Sequence, residues 1–398
     1  MHETTASSPQ MLRRMNSGAV LRFALRVAEF TAAEAMAETA LTRSTVLGVC
    51  DDLVAAGWLE ELEDSRAAGL TSKGRPARRY RLRDGAGIVV GLDAGEHRYT
   101  AVVADLRGHS LAERSTELDA PSAGGADRLA AASALVESAV AAAGRGRDDI
   151  LLTVVGVPAP VDADGRSPRG TNDFWATMNP GFPGVLGGAV VVENDANLAA
   201  VAEKAHAHDP GDSDVATVLS GERLGAGVIL DGRLLRGARG GAGEMRFLDI
   251  VEGAGSPAGI GALARLWARA AVEEGSPSAL AALAPDEIDA ERVFAAAADG
   301  DALALDIIAR LGARISRVAA VLSSLLDVDK VVIAGAIADA VDPVLAHARA
   351  ALRDDFSPPV PDVVASTLGR DVVVLGAVEL ALSRVREEPL AFTPRHAS

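Results

Sequence analysis

The residues best suited to chemistry on another molecule lie near the N-terminus. Arg43, Ser44 and Thr45 begin a predicted helix, and a short turn separates it from the helix before it. In a helix-turn-helix the second helix enters the DNA major groove with its N-terminal end, where short polar and basic side chains reach base edges. These three residues are therefore predicted to contact duplex DNA.

A basic run, KGRPARRYRLR, follows at residues 73–83 and contains six basic residues and no acidic one. Predicted strands on either side make its first part the tip of a hairpin, which in this context is a wing. Lys73, Arg75 and Arg78 are predicted to contact phosphates or a narrow minor groove, where arginine is favoured electrostatically. Two alternatives stay open, because winged helices also bind proteins and a basic tip can simply be solvated. Acidic residues on the first wing strand oppose DNA binding.

The charge of the chain is unevenly distributed. Its 398 residues carry a net charge of −16, of which residues 1–84 contribute +1 and the remainder −17. An acidic body repels nucleic acid, so the near-neutral head is where a polyanion is expected to bind.

Composition excludes several classes of protein. Hydrophobic residues make up 49% of the chain, which excludes wholesale disorder. Cys50 is the one cysteine, so a disulfide scaffold and a cysteine-based zinc cluster are excluded, and its place beside an inward-facing valine predicts a core residue rather than a redox switch. Without an apolar stretch of about 18 residues or an apolar signal segment, a cytoplasmic protein with no membrane contact is expected.

The head is predicted to contain three helices and a hairpin. Apolar residues at 19–30 recur with helical spacing. Thr31 and Thr42 are predicted N-caps, the first for a short second helix and the second for the helix that starts at Arg43. Gly57 is predicted to end that third helix in the left-handed conformation.

From residue 86 onward, apolar strand-like runs alternate with helical stretches, which indicates a layered α/β fold. Helices are predicted at 127–144 and over about 257–326. An apolar strand opens into a glycine turn in both halves, which indicates two similar lobes facing a cleft. The strand-like runs are GIVVGLDAG, YTAVVADLRG, LLTVVGVPAP, AVVVEND, VATVLSG, GAGVILDG and KVVIAGAIA.

Four segments of the body closely resemble the ROK family of sugar kinases and sugar-responsive repressors. The resemblance covers residues 87–385, and the head at 17–83 is similar to the winged helix of the family's repressor branch. The four segments are VVGVPAPVD (154–162), VVENDANLAAVAE (191–203), LGAGVILDGRLLRGARGGAGEM (224–245) and VVIAGAIADAVDPVL (331–345).

The resemblance implies an α/β fold in which an N-terminal winged helix-turn-helix precedes a two-lobed actin-like (ribonuclease H-like) ROK domain. It also implies a division of the chain. The expected parts are a flexible N-terminus at 1–16, a DNA-binding domain at 17–83, a first lobe at 86–198 joined by a C-terminal helix at 376–387, and a second lobe at 199–375.

The resemblance further implies a sugar site between the lobes. Asp195 matches the position of the kinase's general base, although a helix-capping role is the alternative. Asn172 and Asn194 look like partners of sugar hydroxyls, and Glu244 matches the family's sugar-binding glutamate. Arg246 is new at the cleft edge. It either pairs with Glu244 and closes the site or receives an anionic ligand such as a sugar phosphate or sugar acid.

The chain departs from the family's kinase pattern at both phosphate loops. Glu96 and His97 replace small residues in the first loop, and Glu222 and Arg223 do so in the second. Carboxylates at these places oppose an ATP tail. The family's zinc cluster is also missing, since residues 246–264 contain no Cys or His. These departures predict an inactive general-base position, no kinase activity, no metal and no cofactor.

The sequence thus predicts a ROK-type DNA-binding transcriptional regulator, specifically a repressor, that senses a sugar or sugar derivative in the interlobe cleft. Its expected partners are double-stranded operator DNA, a sugar-type effector and further copies of itself in a homodimer or homotetramer. Two alternatives are a sugar kinase with an appended DNA-binding head and a DNA-binding dimer scaffold that binds no ligand.

Overall fold

The structure is a computed structural model and describes residues 9–62, 78–118, 123–168, 173–206 and 214–395. No helix in these parts of the chain has the length and apolar character needed to cross a membrane. Their helices are α1 (Pro9–Ala24), α2 (Ala32–Thr39), α3 (Arg43–Ala55), α4 (Gly125–Ala142), α5 (Phe174–Met178), α6 (Pro183–Leu186), α7 (Asp195–His206), α8 (Ile260–Glu273), α9 (Ala290–Ala298), α10 (Ala302–Leu326), α11 (Asp342–Asp355) and α12 (Val372–Glu387). Their strands are β1 (Phe30–Thr31), β2 (Leu59–Leu62), β3 (Arg79–Leu82), β4 (Ile88–Ala94), β5 (Arg98–Asp105), β6 (Ser110–Glu117), β7 (Ile150–Val157), β8 (Val190–Asn194), β9 (Val215–Ser220), β10 (Leu224–Leu230), β11 (Arg233–Leu234), β12 (Lys330–Ala334) and β13 (Asp362–Ala365).

The head consists of α1, α2 and α3 and an antiparallel sheet in the order β1-β3-β2. The predicted caps are present. The Thr31 hydroxyl accepts the N–H of Glu34, whose carboxylate accepts the Thr31 N–H, and the Thr42 hydroxyl accepts the N–H of Thr45. Gly57 follows α3 in the left-handed conformation, with φ 79°. These contacts fix the turn between α2 and α3 and therefore the direction in which α3 presents its first turn.

The first helix differs from the prediction, which placed it at 19–30 behind a flexible segment at 1–16. Instead α1 starts at Pro9, so the segment at 1–16 is helical from Pro9 onward. Helix α1 ends at Ala24, well before the predicted end at residue 30. The early stop follows from Phe30, which is extended and pairs with Tyr80 of β3. A residue in a sheet ladder cannot keep helical dihedral angles, so sheet pairing overrides the helical spacing.

Two five-stranded sheets form the body, and they share one topology. The strand order is β6-β5-β4-β7-β8 in the first sheet and β11-β10-β9-β12-β13 in the second. In each sheet three strands form an antiparallel meander, and two further strands continue in parallel from the first of them. The repeated topology confirms the predicted α/β fold with two similar lobes.

Helices cover both faces of the central strands. In the first lobe α4 covers one face and α12 the other, while α7 packs between α12 and the second sheet. Strands β4 and β7 are consequently buried along almost their whole length, which explains why they read as continuous apolar runs. Strand β6 lies at the sheet edge and is largely exposed, and its polar sequence SLAERSTE gave no strand signal.

The helical stretch predicted over 257–326 is divided into α8, α9 and α10. Gly275 and Gly300 follow α8 and α9 in the left-handed conformation, with φ of 84° and 87°. The side chains of Asp289 and Asp301 then cap α9 and α10 by accepting N–H groups of the first turn. The glycines and the capping carboxylates are the signals that set these breaks.

Helix α12 packs closely on the elements that bound the cleft. It begins at Val372, four residues before the predicted start of the C-terminal helix, 376–387. A Cβ atom on Gly376 would overlap the Leu198 carbonyl of α7, and one on Gly91 of β4 would press on the backbone of α12. Glycine is required at these two contacts because the backbones themselves touch.

The head packs directly on the first lobe and α12. Buried side chains of both parts form one continuous hydrophobic cluster that extends from Leu21 in α1 to Leu382 in α12. Arg107, in the turn after β5, donates to the carbonyls of residues 27–28 at 3.0 and 3.2 Å. A single helical turn at Pro389–Ala391 contacts α1 from the other side. The head therefore shares its core with the first lobe.

Candidate functional site

The first turn of α3 presents two of the three predicted DNA contacts to solvent. Arg43 and Ser44 are exposed, and Arg43 has no ion-pair partner among the described residues. Thr45 is half-buried, and its hydroxyl lies 2.9 Å from the hydroxyl of the cap, Thr42. This turn offers a guanidinium and a hydroxyl at the positive end of a helix, which suits a polyanion.

The wing is only partly described. Lys73 and Arg75 lie outside the described residues. Arg78 is already paired, since its guanidinium donates to both carboxylate oxygens of Glu61 (2.7 and 2.5 Å) and to Asp51 (2.7 Å). These partners hold the pKa of Arg78 above its ordinary value. A phosphate contact by Arg78 therefore requires that phosphate take the place of these carboxylates.

Cys50 lies in the core of the head and is fully buried. Burial raises the pKa of its thiol to about 12. The thiol stays protonated at neutral pH and is a poor nucleophile, in agreement with a packing role.

A cleft of about 750 Å³ lies between the two sheets. It is bounded by the end of β4, the start of α7, the turn between β9 and β10 and the loop after β12. Its charged lining residues are Asp93, Glu96, His97, Arg98, Asp195, Glu222, Arg223, Arg265, Glu291 and Arg370.

Two carboxyl groups in this cleft have raised pKa values. Burial, together with the carboxylates of Asp93 and Glu244, raises the pKa of Asp195 to about 8. Burial and the nearby Asp371 carboxylate raise the pKa of Asp93 to about 7. Near neutral pH each group exists in both protonation states, so each can donate or accept a hydrogen bond to a ligand hydroxyl.

Asn194 is 8% exposed and bonds within the protein. Its Oδ1 accepts the N–H of Asn197 at 3.1 Å, and its Nδ2 donates to the Ala159 carbonyl at 3.1 Å. Asn194 is therefore the residue that caps α7, a role that the sequence analysis considered for Asp195. One N–H and one lone pair of the amide remain for a ligand. Asn172 lies outside the described residues.

Glu244 and Arg246 follow β11 and do not pair with each other. Neither side chain makes an ion pair or a hydrogen bond with a described residue. Burial raises the pKa of Glu244, although the charges of Arg246 and Arg223 act in the opposite direction. The Arg246 guanidinium lies 4.6 Å from the Phe247 ring centre and 5.9 Å from that of Trp175. Arg246 thus lies beside two aromatic rings and has no ion-pair partner among the described residues.

The second phosphate loop carries an ion pair and an aromatic contact. Glu222 accepts two hydrogen bonds from Arg265 at 2.8 and 3.3 Å. This pair balances the Glu222 charge and removes part of the repulsion expected against an ATP tail. The guanidinium of Arg223 lies 3.6 Å above the ring centre of Phe174, so a side chain of the second lobe covers a ring of the first.

Three arginines that the sequence analysis did not single out hold the walls of the cleft. Arg128 is fully buried and donates to the carbonyls of residues 95–96 at 3.1 and 2.9 Å, in the first loop. Arg236 bonds to the buried Glu193 carboxylate at 2.9 Å and joins the lobes. Arginine is so abundant in this chain that these two gave no sequence signal.

The third arginine, Arg314 of α10, is buried behind the loop at 253–259. It donates to the carbonyls of Ala254, Ser256 and Ala258 at 2.6, 2.6 and 2.9 Å. Its position on the apolar face of α10, beside Ile315, was a signal that sequence reasoning could have used. Among the described residues no group of three or more His, Cys, Asp or Glu side chains could hold a metal ion. The absence of zinc stays a prediction.

Comparison with known proteins assigns the family. The model of the ROK family matches residues 89–384. The chain belongs to the ROK family. Its ROK region contains both sheets and α12, so the predicted two-lobed actin-like body is confirmed.

ROK relatives of this chain include enzymes and regulators. The bifunctional enzyme NanE/NanK of Brucella suis biovar 1 is 32% identical over 232 residues, which are 54% of this chain and 41% of that enzyme. The chain thus spans less than half the length of the curated relative that it matches first. A glucokinase of Streptomyces coelicolor is 27% identical over 74% of this chain and 98% of the glucokinase. A xylose repressor of Caldicellulosiruptor bescii is 26% identical over 53% of this chain and 52% of the repressor.

One solved structure matches the whole architecture of this ROK protein. It is a ROK family transcriptional regulator described as a homologue of the E. coli MLC protein, with a TM-score of 0.72 and 22% identity over 96% of this chain and 98% of that one. At this identity the match shows the fold. It confirms a winged head followed by a ROK body.

Proposed function

We propose that this ROK protein is a DNA-binding transcriptional regulator and acts as a repressor. The observation that carries the proposal is the helix-turn-helix head, whose α3 exposes Arg43 and Ser44 to solvent. Such a head adds nothing to phosphoryl transfer, but it suits a duplex. The similarity to a xylose repressor and the shared fold with a ROK regulator support the same function.

In this proposal the DNA contacts divide into two groups. The first turn of α3 reads base edges, and the wing binds phosphates, which position the protein without reading sequence. The first group is Arg43, Ser44 and Thr45, and the second group is Lys73, Arg75 and Arg78.

The interlobe region is the proposed effector site. A sugar or sugar derivative there meets carboxyl and amide groups that suit hydroxyls, on both lobes at once. The proposed ligand contacts are Asn172, Asn194, Asp195, Glu244 and Arg246.

We further propose that the protein works as a homodimer or homotetramer. A ligand that binds one lobe angle better shifts the population toward that angle. The shift changes the spacing of two heads and therefore their fit to two half-sites. The proposed division of the chain is a DNA-binding domain at 17–83, a first lobe at 86–198 with the helix at 376–387, and a second lobe at 199–375.

A sugar kinase with an appended head is the second candidate. The glucokinase similarity favours it, as do Asp195, which matches the position of the kinase's general base, and the balanced charge of Glu222. The stacked Arg223 opposes it, because its side chain occupies the loop where backbone N–H groups would hold phosphate. We expect no ADP formation from ATP with any hexose tested. Sugar-dependent ADP formation that is lost in Asp195→Ala would establish the kinase. The third candidate, a scaffold without ligand, predicts no thermal shift with any sugar.

The test of DNA binding uses the full chain and genomic DNA fragments recovered by pull-down. Arg43→Ala is expected to weaken a specific site by about 1–3 kcal/mol and random DNA by less, because a base contact is lost. Arg75→Ala should weaken both and lower the salt slope by about one, because one phosphate contact is lost. Arg353→Ala, an exposed arginine of α11, is the control and should change neither. If residues 84–398 alone bound the specific site as tightly as the full chain, the proposal would be wrong.

A further inference from the structure

A second cavity between the lobes, of about 590 Å³, lies beside the main cleft. The first lobe contributes Trp175 and two prolines, and the second lobe contributes the glycine-rich segment at 237–247. Its ionisable residues are Arg239, Glu244 and Arg246. We call this space the Arg246 cavity.

The Arg246 cavity carries two exposed arginines, and neither forms an ion pair in the part of the chain that the structure describes. Arg239 and Arg246 make no ion pair or hydrogen bond with a described residue. By contrast, Arg236 pairs with Glu193 between the lobes, and Arg265 pairs with Glu222 in the main cleft. Glu244, the one carboxyl group that lines the cavity, makes no ion pair with either arginine, and burial raises its pKa although the Arg246 charge acts in the opposite direction. Both guanidinium groups are therefore open to an anion that enters the cavity from solvent.

Two aromatic rings lie beside one of these charges. The central carbon of the Arg246 guanidinium lies 4.6 Å from the centre of the Phe247 ring and 5.9 Å from that of the Trp175 ring. Stacking fixes the plane of a guanidinium and leaves its N–H groups free to bind an oxyanion in the same plane. The prolines and the Trp175 ring supply apolar surface for the face of a small ring.

We propose that the Arg246 cavity binds a cyclic organic anion, in which a carboxylate or phosphate ester is carried on a ring of sugar size. The oxyanion pairs with Arg246, with Arg239 as the second cation, and the ring lies on Trp175. The proposal rests on the proposed function, because it gives the chemical class of the effector. It makes the anion the group that is recognised, and the hydroxyls secondary.

The experiment is a calorimetric titration of the full chain with three matched probes. D-glucuronate carries a carboxylate, D-glucose 6-phosphate carries a phosphate ester, and D-glucose carries neither. At least one of the two anions is expected to bind ten-fold or more tightly than glucose. Arg246→Gln should lower that affinity about ten- to hundred-fold, because a charge-assisted hydrogen bond to the anion is lost. The arm that binds more tightly tells carboxylate from phosphate.

Control variants separate a local effect from loss of folding. Arg239→Gln should lower anion affinity less than Arg246→Gln, and Arg353→Gln, far from the cavity in α11, should not change it. Equal affinity for glucose and both anions, binding of neither anion, or anion affinity unchanged in Arg246→Gln would each overturn the proposal. DNA binding is measured on the same preparations. If the protein binds its DNA site but no anion, this inference alone is wrong. If the protein binds no DNA, the proposed function is wrong.

Discussion

Asp93 and Asp195 face the same cleft with pKa values of about 7 and about 8. Burial is the largest cause in both, and a neighbouring carboxylate adds to it, that of Asp371 for Asp93 and that of Asp93 for Asp195. A ligand hydroxyl or cation at this place would supply the hydrogen bond or charge that water supplies elsewhere. In the proposed effector site, ligand binding would therefore be coupled to a change in the protonation of these two groups.

The raised pKa of Asp195 predicts a dependence of stability on pH. Below about pH 4 the group is protonated in the folded and unfolded states, and its ionisation has no effect. Between pH 4 and 8 the unfolded chain loses this proton first, so the free energy of unfolding falls as pH rises. We expect the melting temperature of Asp195→Asn to depend less on pH between pH 5 and 9 than that of the wild type. At pH 8 the variant should have the higher melting temperature.

The control for this prediction is Asp286→Asn, which changes an exposed carboxylate in the same way. It should give a profile parallel to that of the wild type. Parallel profiles for Asp195→Asn and the wild type would show instead that water reaches Asp195 and keeps its pKa ordinary.

At the scale of the elements, Arg314 organises the loop at 253–259 that frames the second phosphate loop. The loop carbonyl of Pro257 accepts the N–H of Leu224, and the N–H of Gly259 donates to the Glu222 carbonyl. Arg314 hydrogen-bonds to the carbonyls of this loop, and the loop in turn bonds to residues 222–224. Arg314 therefore also sets the position of residues 222–224. It does so in a segment where the sequence lacks the family's zinc ligands.

Arg314→Met should therefore destabilise the second lobe by about 2–5 kcal/mol, because three carbonyls lose their donor at once. In this variant a protease should also cut the loop at 253–259 faster than in the wild type. Mass spectrometry of the fragments would detect these cuts. Arg353→Met, which replaces an exposed arginine of α11 in the same way, is the control and should leave the loop protected.

The lack of zinc ligands in this segment leads to a separate prediction. Elemental analysis of the purified protein is expected to find no stoichiometric zinc. One zinc per chain would contradict the view that Arg314 orders the loop alone.

The elements also show where sequence reasoning succeeds and where it fails. Thr31, Thr42 and Gly57 were predicted because a cap is a local contact between residues a few positions apart. The end of α1 was missed because Phe30 pairs with a strand fifty residues away. Among the predicted site residues, Arg43 and Ser44 are exposed as expected. The pairing of Arg78 and the stacking of Arg246 depend on partners that only the folded chain brings together.

At the scale of the whole molecule, the head and the first lobe share one hydrophobic cluster, which α12 completes. The second lobe has a separate cluster built on α8, α10 and α11. A change in lobe angle should then carry the head with the first lobe and move both relative to the second. In the proposed mechanism, α3 would therefore move with the body of the first lobe rather than on a flexible tether.

Shared packing predicts shared unfolding. In hydrogen exchange of the wild-type chain at rising urea, amides of α3 and β4 should converge on one opening free energy, because opening the head exposes the base of the first lobe. Amides of β12 in the second lobe should converge on a different value. Opening of α3 at much lower urea than β4 would show that the head is an independent unit. Arg107→Ala removes the hydrogen bonds to residues 27–28. It should therefore lower the opening free energy of the α3 amides relative to that of the β4 amides.

The position of α12 in the chain has a consequence for synthesis. The head and the strands of the first lobe leave the ribosome long before the residues from Val372 to Ala391 that cover them. Until those residues emerge, the nascent chain carries a winged head whose base is open to water and to chaperones. The head reaches its final packing only after the second lobe has been made, so an unfinished chain lacks the packed head on which the proposed DNA binding depends.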